Sequence, residues 1–248
     1  MRQTIERQSI IRFAHIDGAG IVFYPRYVEM IASVFPEIDF GATPLRLSLE
    51  FRKANRLGDA LLFSGEHIID RNSWSISGRI ASVEHIAVRC EFVSDVDADT
   101  DQAFISESAF AGPEVKVGTH LVGLNAKMHM SRYYELVSES FEQWLESSLN
   151  LPFSKLYRID GNGIPTVSLK TCCRELPRLG DVVQTRIQPT QLGRSSIKFK
   201  SWLMRGKTVL VETEQVVVFV KFTGERFRGA RIPQDMRSKL ERQLRLDR

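Results

Sequence analysis

The sequence has little cysteine and no long apolar run. Its three cysteines are Cys90, Cys172 and Cys173, an odd number with two adjacent, so a disulfide framework is not expected. No Cys/His cluster has the spacing of a zinc site. No apolar run approaches the roughly 20 residues that span a bilayer, and MRQTIERQSI lacks the apolar segment of a signal peptide. These absences predict a protein of the reducing cytoplasm, with no metal and no membrane segment.

The sequence also has no large excess of charge of either sign. The formal net charge is +4, from 34 basic and 30 acidic residues that are interspersed. A nucleic-acid-binding surface would need a one-sided basic stripe with aromatic residues, and none is seen. The densest basic group, RSKLERQLRLDR at the end of the chain, is predicted to be a solvated helix face. Apolar residues make up 43% of the 248 residues, which is enough for a globular core.

The most informative stretch is RFAHIDGAGIVFYPRYVEM, residues 12–30. It reads as the end of a strand, a turn at 17–20 with two glycines, and a helix with Pro25 in its first turn. Pro36 ends that helix. One carboxylate, Asp17, therefore lies just before a helix N-terminus, where free N–H groups carry partial positive charge. Spacing alone leaves two interpretations open: a turn or capping aspartate, or a catalytic acid.

The residues that follow predict strands. Apolar and polar residues alternate over 45–51, and further strands are predicted at 60–70, 74–82 and 85–93. One helix with about five strands is an α+β pattern. The stretch 94–112, which carries four aspartates, is interpreted as a connector.

The plan then repeats. FRKANRLGD at 51–59 matches CRELPRLGD at 173–181, an offset of 122 residues, and Arg26-Tyr27-Val28-Glu29 matches Arg132-Tyr133-Tyr134-Glu135 at an offset of 106. The larger offset also pairs Ser73 with Ser195 and His85 with Lys207. The chain is therefore predicted to hold two tandem units, 1–110 and 111–248.

Two further elements are predicted in the second unit. Ser131 is expected to cap a helix that runs to about Leu149, with a buried face. The stretch 208–222 is predicted to be one central strand that is buried on both faces.

The run Asp17-Gly18-Ala19-Gly20-Ile21-Val22-Phe23-Tyr24-Pro25, with Tyr27 two residues on, resembles the signature of the 4-hydroxybenzoyl-CoA thioesterase family of hot-dog proteins. The turn at 193–196 and Arg231-Ile232-Pro233 are similar to that family as well. The resemblance implies a hot-dog fold, in which a central helix is wrapped by an antiparallel sheet. It also implies that the two units form a pseudo-dimer within one chain, and that the chain hydrolyses acyl-CoA thioesters without a further cofactor.

The resemblance also implies a site shared between the units. Asp17 would attack the thioester or activate a water, and the backbone N–H near Tyr24 would hold the oxyanion. Gly20 and Phe23 would line the pocket, together with Ile164, Thr166 and Ser168 of the second unit. Arg71 with Ser73, and Arg194 with Ser195, would bind the CoA phosphates; solvent-exposed hairpin arginines are the alternative.

The two units are predicted to differ in their catalytic residues, so that only the first carries a competent active site. Gly123 falls opposite Asp17, so the second unit lacks the acid, and His129 falls opposite Phe23. His129 is more simply explained as a structural residue at a helix start. Two other functions stay open: a hydratase, which would use an Asp and His pair, and a non-catalytic module that binds acyl thioesters. The sequence also leaves open which acyl group is bound and whether its carrier is CoA or acyl carrier protein. It does not decide whether Asp17 is a nucleophile or a base, or whether chains pair further.

Overall fold

A computed structural model describes residues 2–93, 105–106, 108–123, 125–158, 161–223 and 226–246. The first unit contains one helix and five strands: β1 (Arg2–Ile10), α1 (Tyr24–Val34), β2 (Leu45–Phe51), β3 (Ala60–Ile68), β4 (Ser73–Ile80) and β5 (Val83–Phe92). The second unit has the same plan with additions: β6 (Phe110–Lys116), α2 (Met130–Leu149), α3 (Phe153–Arg158), β7 (Asn162–Gly163), β8 (Thr166–Cys173), β9 (Val182–Leu192), β10 (Ser196–Arg205), β11 (Thr208–Val218), β12 (Val220–Thr223), β13 (Arg226–Gly229) and α4 (Gln234–Leu246).

Ten of the strands form one continuous antiparallel sheet. Its order is β1-β3-β4-β5-β2-β8-β11-β10-β9-β6, so each unit contributes five neighbouring strands. The units join where β2 pairs with β8, and Ser48 lies opposite Lys170 there. Those two residues are 122 apart and so are repeat counterparts. A strand pair in which a residue faces its own counterpart has the self-complementarity of a two-fold interface, so the tandem is a pseudo-dimer.

Backbone hydrogen bonds confirm the repeat at both offsets. An isolated bridge joins Ile16 to Val22 in the first unit, and its counterpart joins Val122 to Met128 in the second. The N–H of Val22 donates to the carbonyl of Asn55 at 2.9 Å, and the N–H of Met128 donates to that of Pro177 at 2.7 Å. Each loop is thus held to its own unit by the same bonds.

The offset is larger in the last two strands of each unit than the sequence suggested. The N–H of Arg52 donates to the carbonyl of His85, and the N–H of Arg174 donates to that of Leu210. His85 therefore corresponds to Leu210 and not to Lys207. The pairing of β9 with β10 shifts register between Lys198 and Phe199. This shift skips Thr190 and takes up one of the three extra residues without a change of topology.

The long helix begins two residues earlier than a cap at Ser131 would give, at Met130, and its cap is different. The N-cap of α2 is His129, whose side chain accepts from the N–H of Ser131, so the prediction that Ser131 caps the helix is wrong. With 20 residues, α2 extends about 30 Å. Helix α1 has only 11 residues, because Pro36 cannot continue it.

The strand predicted at 208–222 is interrupted at Phe219, where β11 gives way to β12. Burial along β11 alternates, so only one of its faces is fully covered, and the expectation of burial on both faces is wrong. An antiparallel strand is commonly solvated on one face.

Most of the predicted connector lies outside the described residues. Its last part is strand: β6 begins at Phe110 and pairs with β9 of the second unit, one residue before the predicted start of that unit. Among the described residues no helix is long and apolar enough to cross a bilayer.

Candidate active site

The loop that carries Asp17 is a tight turn closed by backbone bonds. The N–H of Asp17 donates to the carbonyl of Ile21 at 2.9 Å, and the N–H of Gly20 donates to that of Asp17 at 3.0 Å. Gly20 has φ +71°, a left-handed conformation that glycine adopts without strain. The Asp17 Oδ1 atom accepts from the N–H groups of Ala19 at 2.8 Å and Ile21 at 3.3 Å. Asp17 is therefore bound to its own turn and does not cap the helix.

The protonation of Asp17 is set by two opposing effects. Burial among apolar neighbours raises the pKa of its carboxyl above the ordinary 3.8, and the bonds from Ala19 and Ile21 partly oppose this rise. Burial is the larger effect because it removes the water that stabilises the charge. A raised pKa in a cleft is typical of a general base or nucleophile.

The N-terminus of α1 lies beside this loop. Its N-cap is Phe23, which makes no side-chain capping bond, and Tyr24 is the first helical residue. The N–H of a first helical residue has no acceptor within its helix, so that of Tyr24 is available to an anionic oxygen. The Tyr24 hydroxyl crosses the junction between the units and donates to the carbonyl of Tyr134 in α2 at 3.0 Å. The pKa of Tyr24 is raised, chiefly by burial.

Asp17 and Tyr24 line a cavity of about 930 Å³ between the two units, within the size range of ligand pockets. Much of its wall is aromatic and comes from both units: Phe23, Phe51, Phe141, Phe153, Phe222 and Phe227. Apolar surface predominates on its wall over polar surface, as expected of a pocket that binds an apolar ligand.

The predicted pocket residues are mostly brought together. Phe23 lines the cavity from the first unit, and Ile164 and Thr166 line it from the second. Gly20 and Ser168 are not among its lining residues. Ser168 lies in β8, where it pairs with Val216; Gly20 shapes the loop that carries Asp17.

The predicted phosphate-binding arginines do not line the cavity. They lie in equivalent turns of the two units. Arg194 and Ser195 form the turn before β10, and the N–H of Phe219 donates to the carbonyl of Ser195 at 2.6 Å. Both neighbours of Phe219 along the chain line the cavity. Arg71 and Ser73 occupy the corresponding turn of the first unit, where the N–H of Phe92 donates to the carbonyl of Asn72.

Several residues at the cavity were missed at the sequence level. Gln215 and Glu142 line it from β11 and α2, and Arg52 with Lys53 line it from the segment after β2. Arg52 and Lys53 lie in the matched repeat segment 51–59, and that match was the available signal. Gln215 lies within an apolar strand and gave no signal.

Glu142 is a second carboxylate on the cavity wall. Burial by its neighbours raises its pKa, and the like charge of Glu139 adds to the rise. Its side chain is nevertheless exposed, which places it toward solvent.

The counterpart of this cavity in the other half is closed. The repeat places Met130 opposite Tyr24, Cys173 opposite Phe51, and Cys90 opposite Gln215, and all three are fully buried in the larger hydrophobic core. Gly123, which stands for Asp17, borders a hollow of about 260 Å³. His129, which was predicted to be structural, bonds to Ser131 through Nδ1 at 2.8 Å.

Within the described ranges, no group of His, Cys, Asp and Glu side chains is arranged to hold a metal ion. No histidine is found among the cavity-lining residues of that part of the chain. His15 accepts from the backbone N–H of Arg12 through Nδ1 at 3.1 Å.

No protein-family model matches the sequence, and no curated protein matches it. Solved structures do match over almost the whole chain. A putative oleoyl thioesterase from Lactobacillus plantarum is 6% identical with a TM-score of 0.63, over 90% of this chain and 98% of that one. The 12:0-ACP thioesterase from Umbellularia californica is 11% identical with a TM-score of 0.64, over 91% and 94%. At such identities the likeness shows the fold alone: two tandem hot-dog units in one α+β chain.

Proposed function

We propose that this chain hydrolyses acyl-CoA thioesters at the cavity between its two units, with Asp17 as the reacting carboxylate. One observation carries the proposal: a carboxyl group with a raised pKa lies beside an uncapped helix N-terminus, on the wall of an apolar cavity. Thioester hydrolysis requires a base or nucleophile, a donor for the oxyanion and an apolar site for the acyl group. The thioesterases of the same fold support this choice of chemistry.

In the proposed reaction the thioester carbonyl lies over the first turn of α1. Asp17 attacks the carbonyl carbon, or removes a proton from a water that attacks it, and the electron pair moves to the carbonyl oxygen. The N–H of Tyr24 donates to that oxygen; one fixed donor of this kind contributes about 3 kcal/mol. The carbon–sulfur bond then breaks, and the thiolate of CoA leaves and takes up a proton. If Asp17 was the attacking group, water hydrolyses the resulting anhydride, so both routes yield a free acid and CoA.

The experiment is thiol release from a panel of acyl-CoA esters. Asp17→Asn keeps the size of the side chain and can still accept from Ala19 and Ile21. It removes the nucleophile or base, so we expect turnover to fall at least about 100-fold. His129→Ala is the matched control from the closed half, and it should leave kcat nearly unchanged.

The number of ligands bound per chain is an independent test of the proposal that the chain has one site. Because Met130, Cys173 and Cys90 fill the counterpart, calorimetric titration of the Asp17→Asn chain with an acyl-CoA should give one ligand per chain. Binding of two ligands would mean that the second half opens. If the native chain binds acyl-CoA but releases no thiol, it is a binding module. If His129→Ala is inactive and Asp17→Asn is active, the site lies in the other half.

A further inference from the structure

One buried polar atom at the cavity has no hydrogen-bond partner among the described residues. Gln215 is only 2% exposed, yet it lines the cavity. Its Nε2 atom donates to Thr166 Oγ1 at 2.7 Å. Its Oε1 atom is buried without a hydrogen bond to any described residue. A buried polar group without a partner is unfavourable and rare in native proteins, so a ligand that supplies the partner is favoured.

The surrounding polar groups do not satisfy Gln215, because their hydrogen bonds are used elsewhere. The Tyr24 hydroxyl donates its one proton to the carbonyl of Tyr134. Toward Gln215 it can only accept, and the Gln215 amide accordingly opposes part of the rise in the pKa of Tyr24, so Tyr24 supplies no proton to Gln215 Oε1. Thr171 and Thr213, on the same sheet, bond to each other at 2.8 Å and to Tyr134 and Tyr133. The network behind the cavity is thus paired within itself.

The pseudo-symmetry indicates that a glutamine is not required by the fold at this place. The counterpart of Gln215 is Cys90, which is fully buried in the core of the first unit. A small apolar residue therefore suits this position of the sheet where no cavity exists. The polar side chain occurs in the half where the cavity is open.

We propose that Gln215 determines specificity by hydrogen-bonding to a hydroxyl on the acyl group of the substrate. This inference rests on the proposed function, since the acyl group is placed in the same cavity. A hydroxyl suits either orientation of the amide, because it donates to Oε1 and equally accepts from Nε2 if the two ends are exchanged. The substrate hydroxyl that bonds to Gln215 would lie next to the Tyr24 hydroxyl. Tyr24 begins the helix whose N-terminus would hold the thioester oxygen, so the length of one tyrosine side chain separates the two sites. The recognised hydroxyl is therefore remote from the thioester.

The test compares esters that differ by one hydroxyl: benzoyl-CoA with its 2-, 3- and 4-hydroxy derivatives, and hexanoyl-CoA with its hydroxylated derivatives. We expect kcat/KM for one hydroxylated ester to be about ten times that of its parent. This factor corresponds to the net free energy of about one hydrogen bond to a buried group. Gln215→Leu has similar volume and no polar atom, so the ratio should fall to about one. Ser201→Ala is the control, because Ser201 Oγ is also buried without a partner but does not line the cavity; this variant should keep the native ratio.

Binding separates this inference from hydrolysis. The dissociation constants of non-hydrolysable thioether analogues of the same pairs should show the same preference in the native chain and its loss in Gln215→Leu. If no thioester is cleaved but the analogues still discriminate, Gln215 recognises a hydroxyl in a binding protein. If every native pair agrees within twofold, or if Gln215→Leu keeps the preference, the proposal is wrong. Thermal melting of each variant, with Gln215→Met as a second replacement, separates loss of recognition from loss of folding.

Discussion

Arg26 and Glu135 join the helices of the two units at 2.8 Å. The repeat counterparts of this pair, Arg132 and Glu29, lie at 3.5 Å across the same junction. Each arginine also bonds to the glutamate three residues on in its own helix. Four side chains therefore form a closed network about the pseudo-two-fold axis, as at a symmetric dimer interface.

The Arg26–Glu135 pair should couple the units measurably. In a double-mutant cycle with Arg26→Gln and Glu135→Gln, urea denaturation should give a coupling energy of about 1 kcal/mol that decreases with salt, because the pair is only partly exposed and belongs to a network. The control is Arg79 with Glu6, at 41% and 50% side-chain exposure. Its coupling should be smaller, and equal values would show that the network adds nothing.

Activity should decline in acid at a pH above the ordinary pKa of aspartate. The reaction needs ionised Asp17, whose pKa is raised above 3.8 by burial. The acid limb of the kcat/KM profile should therefore lie above pH 3.8. A limb at or below that value would contradict the role of Asp17, since the profile reports the free enzyme.

The same shift predicts a pH-dependent change in stability. Because the folded state holds the proton of Asp17 more tightly than the unfolded state does, the contribution of this group is greatest below pH 3.8. It is lost as the pH rises through the raised pKa. Asp17→Asn should consequently be more stable than the native chain at pH 7. The difference should shrink as the pH falls toward 3.8, as measured by urea denaturation at each pH.

Of the two turn arginines, only Arg194 should affect carrier binding. Its turn bonds to Phe219, beside the open cavity, whereas Arg71 lies in the counterpart turn of the half whose cavity is filled. Arg194→Ala should raise KM several-fold with little change in kcat, because a phosphate contact is the same in the ground and transition states. The native KM should rise with salt.

Arg71→Ala is the matched control for that experiment, and its kinetics should equal those of the native chain. An increase in KM for both variants would mean that the carrier reaches both turns. No change in either would assign both arginines to the solvated surface.

His129 should matter for stability and not for catalysis. Its side chain caps α2 by accepting from the N–H of Ser131, so His129→Ala should lower the free energy of unfolding by about 1 kcal/mol. His129→Asn, which keeps a capping acceptor, should restore most of it. Burial lowers the pKa of His129, so the stabilisation should be lost as the pH falls from the ordinary 6.5 to that lower value. A large loss of kcat in His129→Ala would contradict this assignment.

The amino-acid sequence by itself determined the repeat and the loop that carries Asp17, because both depend on local chemistry. Arg-Leu-Gly-Asp recurs at 56–59 and 178–181, and in each copy the aspartate accepts from the backbone N–H of the arginine that opens the turn. Asp17, Gly20 and Pro25 likewise specify a turn and a helix start through their own backbone preferences. The extra residues in the pairing of β9 with β10 gave no such signal, so the offset of the last strands was wrong.

The sequence placed the acid in the first unit, but only the tertiary structure decided that the counterpart cavity is filled and what lines the open one. Gln215, Glu142 and Thr166 are distant from Asp17 in the chain, and they meet it because β2 pairs with β8 and brings the second unit against the first. In the pattern of its own strand, Gln215 is simply another residue that points inward, as its counterpart Cys90 is in the other unit. Whether such a position faces a cavity or a filled core depends on which side chains the opposite unit places against it, and no local pattern in the sequence encodes that.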